Sequence, residues 1–187
     1  MTGWAMNKEI GNFIKETLSI IVIAFILAMI LRTFVIEGRI IPSGSMLPTI
    51  QLQDRVMVNK FIYYFIEPQR GDIVVLDPPE VLNTDQDYIK RIIALPGEQV
   101  EIKDGKVYID GKALNEPYLF EPINYEFGPV EVPANSLLVL GDNRNHSFDS
   151  HYWNAWLTLD RIKGKAFLTY WPINHIGLLE RGVTFQE

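Results

Sequence analysis

The 187-residue chain has no cysteine, and this absence excludes disulfide bonds, a thiolate nucleophile and zinc–sulfur sites. It also has no excess of basic side chains, because 17 Lys and Arg stand against 23 Asp and Glu and leave a net charge of −6. Nucleic-acid binding needs clustered Lys and Arg to neutralise phosphates, so we expect no nucleic-acid partner. The sequence shows no internal repeat, heptad pattern or low-complexity tract. Its length accommodates one domain of ordinary size and a short anchor.

One long apolar run follows a short polar and amphipathic tail at residues 1–17. The stretch from Leu18 to Ile36 is close in length to the roughly 20 residues that cross the hydrocarbon core of a bilayer. Arg32, near its end, can extend its guanidinium group to the lipid headgroups. A cleavable signal peptide is the alternative, but it usually has a shorter apolar region and a small-x-small cleavage site, which Arg-Thr-Phe-Val does not supply. We therefore predict a retained transmembrane helix over residues 18–36, in contact with membrane lipid. The flanking charges do not determine its orientation.

After Thr49 the sequence changes to short β-branched runs separated by Pro, Gly and Asp, a pattern typical of strands. The fold prediction is mainly β: one N-terminal transmembrane helix, then an antiparallel β-sheet domain over residues 37–187 with a small excursion at about 104–135. Two Asp-Gly dipeptides indicate tight hairpin turns within this excursion. Residues 112–132, which contain three prolines, are predicted to be irregular. The predicted strands are Arg55–Asn59, Asp72–Leu76, Tyr88–Ala94, Gln99–Lys103, Lys106–Ile109, Ser136–Leu140 and Ile162–Tyr170.

The segment Ile41–Thr49, with the sequence IPSGSMLPT, presents two hydroxyl groups close together. Pro42 and Pro48 restrict the backbone on either side, and Gly44 permits a close backbone approach. Such a segment can present a serine nucleophile. The alternative is a turn at the end of a membrane helix, where serine, glycine and proline are common.

A serine nucleophile needs a group that removes its proton. The three histidines lie late in the chain, and none belongs to a motif that requires a Ser-His-Asp triad. Lys90 lies inside an apolar predicted strand, where burial would lower the pKa of its amine towards neutrality and allow it to act as a general base. The alternative is an ordinary solvated lysine on a half-buried strand.

Three segments carry a more specific pattern, and they follow an N-terminal span in one order: Ile41–Ile50, Tyr88–Glu98 (YIKRIIALPGE) and Gly141–Trp153 (GDNRNHSFDSHYW). Together they resemble the type I signal peptidases, the membrane-anchored Ser-Lys endopeptidases of bacteria and organelles. The resemblance covers residues 18–172. It favours a catalytic role for the segment Ile41–Thr49, called the serine segment below, and for Lys90, over a simple turn and a solvated lysine.

The resemblance implies a role for each matching position. Ser45 is expected to be the nucleophile and Lys90 the general base, with the Ser43 hydroxyl and the Ser45 backbone N–H forming the oxyanion hole. Ser147 is expected to hydrogen-bond the base and orient it. The remaining positions are expected to line the substrate pockets (Ile41, Pro42, Ile50, Tyr88 and Ile89) or to hold the third segment in place (Asp142, Arg144 and Asp149). Shallow apolar pockets would favour small residues in the pattern Ala-x-Ala.

The third segment departs from the commonest family pattern. Asn145 and His146 stand where Asp-Asn is frequent, and His151 stands where an arginine often pairs with Asp149. Because a neutral histidine is a weaker partner for a carboxylate, we expect the Asp149–His151 contact to depend on pH. Histidine here is frequent in cyanobacterial and plastid members of the family. His146, Asp149 and His151 could alternatively bind a metal, but the family needs no metal or other cofactor, and none is expected.

The sequence therefore predicts an enzyme that acts on signal-peptide-bearing preproteins. The resemblance implies a cytoplasmic N-terminus and a catalytic domain on the outer face of the membrane. A Ser-Lys autoprotease of the SOS-repressor type would instead need a basic helix-turn-helix ahead of the dyad, where this chain has an apolar run. A membrane-tethered β-domain that binds exported chains without cutting them is the alternative from a different functional class.

Overall fold

The computed structural model describes residues 2–30 and 35–186 of the chain. Helix α1 covers Thr2–Ile30, and its Gly11–Met29 part is long and apolar enough to cross a membrane, with none of it buried against the described body. The helix thus includes most of the predicted tail at 1–17. Ile36, the predicted end of the span, is the first residue of a strand. Residues 31–34, which include Arg32, lie outside the described residues. The crossing of a membrane stays a prediction.

The strands of the described chain run in the following order: β1 Ile36–Ile40, β2 Arg55–Asn59, β3 Ile73–Leu76, β4 Tyr88–Ala94, β5 Gln99–Lys103, β6 Lys106–Ile109, β7 Lys112–Asn115, β8 Phe127–Glu131, β9 Ser136–Leu140, β10 Leu157–Thr158, β11 Ile162–Trp171, β12 Gly177–Leu178 and β13 Thr184–Phe185. A short helix, α2, covers Ser150–Trp153 between β9 and β10.

These strands form two antiparallel sheets, which confirms the prediction of a mainly β fold. The larger sheet has the order β1-β2-β11-β3-β4-β9-β10, with β12 also paired to β11. The smaller sheet has the order β13-β7-β6-β5-β8. The smaller sheet contains β6, β7 and β8 from the predicted excursion, together with β5, which precedes it, and β13, which lies late in the chain.

All seven predicted strands are present, and the bounds of two differ by one residue, at Ile73 and Trp171. The prediction that residues 112–132 are irregular was wrong in part, because β7 and β8 lie there. Strand β8 pairs only with β5 and forms an edge, where Pro129 removes no bond from the interior of the sheet. The prolines of this segment therefore do not exclude strand structure.

The segment between β1 and β2, which carries the two candidate serines, is packed onto the larger sheet. Met46 and Ile50 have no exposed surface and belong to a core cluster with Val56, Ile73 and Ile89. Burying apolar side chains of this size stabilises the fold by about 1.5–3 kcal/mol each. The serine segment is therefore fixed against the sheet at both of these apolar side chains.

Candidate active site

The structure brings the candidate nucleophile and the candidate base together. Ser45 lies between β1 and β2 and Lys90 lies in β4, and Lys90 Nζ donates a hydrogen bond of 2.8 Å to Ser45 Oγ. The exposed fractions are only 8% for Ser45 and 4% for Lys90. The lysine is therefore not a solvated strand residue, and its amine is within proton-transfer distance of the serine.

Burial holds the pKa of Lys90 down at about 8, from its ordinary value of 10.5. A charged ammonium group loses hydration in this site, and this loss exceeds the opposing attraction from the carboxylates of Asp149 and Asp142. A lysine with this pKa is neutral often enough near neutral pH to accept a proton.

Ser43 lies beside the nucleophile. Its hydroxyl oxygen is 3.5 Å from Ser45 Oγ, at the mouth of the site. A second hydroxyl at this position can reach an oxygen atom that develops negative charge next to Ser45. Removing one such donor from an enzyme typically costs about 10²–10³ in rate.

Ser147 does not make the hydrogen bond to Lys90 that the sequence led us to expect. Its Oγ is buried and has no hydrogen-bond partner within the described chain. Ser147 instead packs beside Gly141, where a Cβ atom would lie 2.2 Å from Ser147 Oγ and 2.4 Å from the Ser45 carbonyl oxygen. The third segment therefore closes on the serine segment through a glycine that leaves no room for a side chain.

Asp142 connects three parts of the site. Its carboxylate accepts two hydrogen bonds from the guanidinium group of Arg91, at 2.8 and 2.6 Å, and a third from the Thr49 hydroxyl. Arg91 also donates to the carbonyl groups of Glu180 and Arg181, which tie the C-terminal segment to β4. Sequence reasoning missed Arg91 and Thr49. The available signal in the sequence was Arg91, an arginine inside an apolar predicted strand and directly after the candidate base.

Arg144 fixes the smaller sheet to the third segment. It donates two hydrogen bonds to the carboxylate of Glu116, at 3.0 and 2.5 Å, and one to the Gly141 carbonyl group. Both charged side chains are almost fully buried. No local feature of the sequence indicated Glu116, which follows β7 and lies outside the three motif segments.

Asp149 accepts a hydrogen bond of 2.8 Å from the Gly141 backbone N–H, and its other oxygen lies 2.5 Å from Nδ1 of His151. The histidine ring stacks on Tyr125 with the ring centres 4.0 Å apart. The contact between Asp149 and His151 is thus made in the structure. Its dependence on pH stays a prediction.

Asn143 was also missed by the sequence analysis. Its backbone N–H donates to the Ser45 carbonyl oxygen at 3.0 Å, and its side-chain amide donates to the Gly44 carbonyl oxygen at 3.1 Å. These two bonds hold the backbone of the candidate nucleophile.

Four of the five predicted pocket residues line cavities at the candidate dyad. Pro42, Tyr88 and Ile89 line a cavity of about 520 Å³ together with Ser45 and Lys90. Ile41 lines the adjoining cavity of about 420 Å³, which shares Pro42 with the first. Ile50 lines neither cavity, because its side chain is fully buried in the core beneath the serine segment. Its assignment to a substrate pocket stays a prediction.

The structure does not gather His146, Asp149 and His151 into a metal site. Within residues 2–30 and 35–186, no group of three or more His, Asp or Glu side chains could hold a metal ion. His146 lines the cavity beside Ser45, whereas His151 faces Asp149 and Tyr125.

The chain is similar in sequence to a known protein family and to several of its members. Residues 14–171 match the sequence profile of the family described as "Signal peptidase, peptidase S26". The chain is 49% identical over 161 residues to the probable signal peptidase I-2 of Synechocystis sp., covering 84% of this chain and 73% of that protein. It is 46% identical over 180 residues to the signal peptidase I of Leptolyngbya laminosa, covering 94% and 88% respectively. A crystal structure of a signal peptidase I from Enterococcus faecalis is 33% identical and has a TM-score of 0.46, covering 54% of this chain and 97% of that one.

Gly141→Ala should destabilise the protein by several kcal/mol, because the new Cβ would lie within 2.4 Å of the Ser45 carbonyl oxygen, which cannot move independently of its backbone. The measurement is the free energy of unfolding in detergent by chemical denaturation. Gly177→Ala is the matched control, since the nearest atom to its Cβ lies 4.0 Å away, and it should change stability by less than about 1 kcal/mol. Equal effects of the two substitutions would contradict the close packing at Gly141.

Proposed function

The chain belongs to the S26 family of signal peptidases, and we propose that it is a membrane-anchored serine endopeptidase that removes N-terminal signal peptides from exported preproteins. The observation that supports this proposal most directly is the buried 2.8 Å contact between Lys90 Nζ and Ser45 Oγ. A pairing of a nucleophile with a desolvated amine has little structural purpose, because burying a lysine costs free energy. It suits acyl transfer, in which the nucleophile needs an adjacent base.

In the proposed reaction the substrate lies extended across the cavity at Ser45, with its scissile carbonyl carbon facing Oγ. Neutral Lys90 accepts the hydroxyl proton of Ser45 as Oγ bonds to the carbonyl carbon. The oxygen of that carbonyl becomes negatively charged, and it accepts hydrogen bonds from the Ser45 backbone N–H and the Ser43 hydroxyl. The ammonium group of Lys90 then gives its proton to the leaving amine, which departs as the N-terminus of the mature chain.

The remaining acyl-enzyme is an ester between Ser45 and the signal peptide. A water molecule loses a proton to Lys90 and attacks the ester carbonyl, and Lys90 returns that proton to Ser45 Oγ as the ester bond breaks. The enzyme is thus restored with one water consumed. In both halves the same amine acts first as base and then as acid, which requires that it titrate close to the working pH.

Specificity for Ala-x-Ala sites is proposed to arise from the cavities next to Ser45. The cavity that contains the dyad is bounded by Pro42, Tyr88 and Ile89, and the adjoining one by Ile41. These apolar side chains would accept methyl-sized groups on alternate residues of an extended substrate, since its side chains point to the same face at every second position. Bulkier groups would be excluded.

Four residues are proposed to position this machinery without touching the substrate. Asp142 joins the serine segment to β4, Arg144 joins the smaller sheet to the third segment, and Asp149 holds Gly141 against Ser45. Ser147 has a buried hydroxyl beside this contact with no hydrogen-bond partner among the described residues, and it is proposed to orient Lys90 when substrate is bound. Hydrogen bonds of this kind often tighten only in the substrate complex.

We propose that α1 spans the membrane with the N-terminus in the cytoplasm and the catalytic domain on the outer face. A signal peptide is itself an apolar segment that enters the bilayer, so anchoring the enzyme in the same membrane raises the effective concentration of the cleavage site. The proposed partners are preproteins and membrane lipid.

Cleavage of a preprotein with an Ala-x-Ala site is the primary test. The wild type in detergent should cut after the second alanine, and Ser45→Ala and Lys90→Ala should each lower kcat by at least about 10⁴-fold, because the nucleophile or its base is removed. Ser43→Ala should cost about 10²–10³. Lys106→Ala, an exposed lysine of the distant β5–β6 hairpin, is the matched control and should retain full activity. An inert wild type, or an active Ser45→Ala variant, would favour the non-catalytic binding module.

The rate should also depend on pH in a defined direction. Lys90 is a competent base only when neutral, so kcat/KM should be low below pH 7 and rise as the pH passes through about 8. The neutral fraction at pH 7 is then about one tenth, so a roughly tenfold gain is expected between pH 7 and 9. The measurement is a pH profile of kcat/KM on one peptide, with circular dichroism to exclude unfolding. A flat profile between pH 6 and 9 would contradict Lys90 as the base.

Membrane orientation is testable with a reporter enzyme that becomes active only after export. Fused to the C-terminus of the chain in a bacterial host, it should be active, because the catalytic domain is placed on the outer face. The same reporter fused ahead of Met1 should be inactive. The opposite pattern would place the catalytic domain in the cytoplasm.

A further inference from the structure

A third cavity, of about 390 Å³, opens beside the dyad on the side away from the proposed pockets. Its lining includes the apolar side chains of Leu47, Pro48 and Phe120 and the polar side chains of Gln51 and Glu121. Asn143 and His146 line both this cavity and the cavity that contains Ser45, so the two meet along these residues. None of the residues proposed for the Ala-x-Ala pockets borders it.

The three cavities therefore form a series with Ser45 in the middle one. The cavity at Ile41 shares Pro42, Tyr88 and Ile89 with the cavity at Ser45, and that cavity shares Asn143 and His146 with the third. A peptide substrate runs past the nucleophile of a protease in one direction, from the residues before the scissile bond to the residues after it. If the residues before the scissile bond occupy the Ile41 side, the residues after it must leave past Asn143 and His146 into the third cavity.

The far wall of this cavity is held in place by Asn145. The Asn145 side-chain amide donates to Glu121 Oε1 at 2.8 Å and to the Pro122 carbonyl oxygen at 3.0 Å, and its oxygen accepts from the Asn124 backbone N–H at 2.9 Å. Three hydrogen bonds thus tie the segment that carries Phe120 to the catalytic segment. An asparagine can make all three, whereas an aspartate could only accept.

Phe120 belongs to none of the hydrophobic core clusters of the described chain. Its side chain is 81% exposed, although apolar side chains of this size normally bury most of their surface. A single exposed aromatic ring needs no explanation, but this one lies on a fixed segment at the wall of a cavity that joins the dyad. An apolar side chain of a bound peptide would cover it.

We propose that this third cavity is the binding subsite for the first residues of the mature chain, and that Phe120 makes it prefer an apolar side chain two or three residues after the scissile bond. The inference rests on the proposed function, because it needs a peptide that is cut at Ser45. Asn145 is the positioning residue, since it acts on the peptide only through the segment that carries Phe120.

The test uses two peptides that are identical up to the scissile bond, after an Ala-x-Ala site, and carry either Leu-Leu or Gly-Gly at the second and third positions beyond it. The measured quantity is the ratio of kcat/KM for the Leu peptide to that for the Gly peptide. The wild type should give a ratio of about tenfold, as apolar contacts in such pockets typically do. Phe120→Ala should bring the ratio close to one.

Asn145→Ala should lower the ratio in the same way, mainly through KM, because the wall moves while the dyad keeps its contact. Phe65→Ala is the matched control, since Phe65 is also an exposed phenylalanine, at 73%, and lines none of the three cavities. It should keep the wild-type ratio. A wild-type ratio near one, or an unchanged ratio in Phe120→Ala, would overturn the subsite. No cleavage of either peptide by the wild type would overturn the proposed function, and the subsite with it.

Discussion

The candidate active site depends on the burial of one lysine, Lys90, next to Ser45. Lys90 is only 4% exposed, so its charged form is costly, and its amine lies 2.8 Å from Ser45 Oγ. Two carboxylates lie close enough to favour the charged form, and each is engaged elsewhere. Asp142 faces Arg91, and Asp149 faces His151 and the Gly141 N–H. Burial therefore outweighs their attraction, and the pKa of Lys90 stays lowered.

Buried charge pairs also determine how the segments of the active site meet. Glu116 and Arg144 are 28 residues apart in sequence, and Arg91 and Asp142 are 51 apart. Each pair fixes one segment against another, because removing either partner would leave an uncompensated charge in the interior. Such pairs contribute little net stability over an apolar replacement. What they provide is a defined arrangement of the loops, in which the candidate catalytic segments meet.

The smaller sheet helps to hold the third segment in place. It contributes no residue to the dyad, yet the segment between β7 and β8 is joined to the third segment through Glu116 and through the three hydrogen bonds of Asn145. The second sheet thus supports the segment that forms a wall of the cavity next to the one that contains Ser45. A position that departs from the commonest family pattern carries this contact.

The sequence by itself determined the features that repeat over short distances. Apolar run length indicated α1, and alternation and turn dipeptides indicated seven strands. The pairing of Ser45 with Lys90 was expected from the family that the three ordered segments resemble. The sequence was less informative where the deciding contact is remote: Ser147 Oγ has no hydrogen-bond partner among the described residues, Ile50 faces the core, and residues 112–132 contain strands. Only the tertiary structure decided which charges meet, because the partner of a buried charge such as Arg144 is set by packing and leaves no periodic trace in the chain.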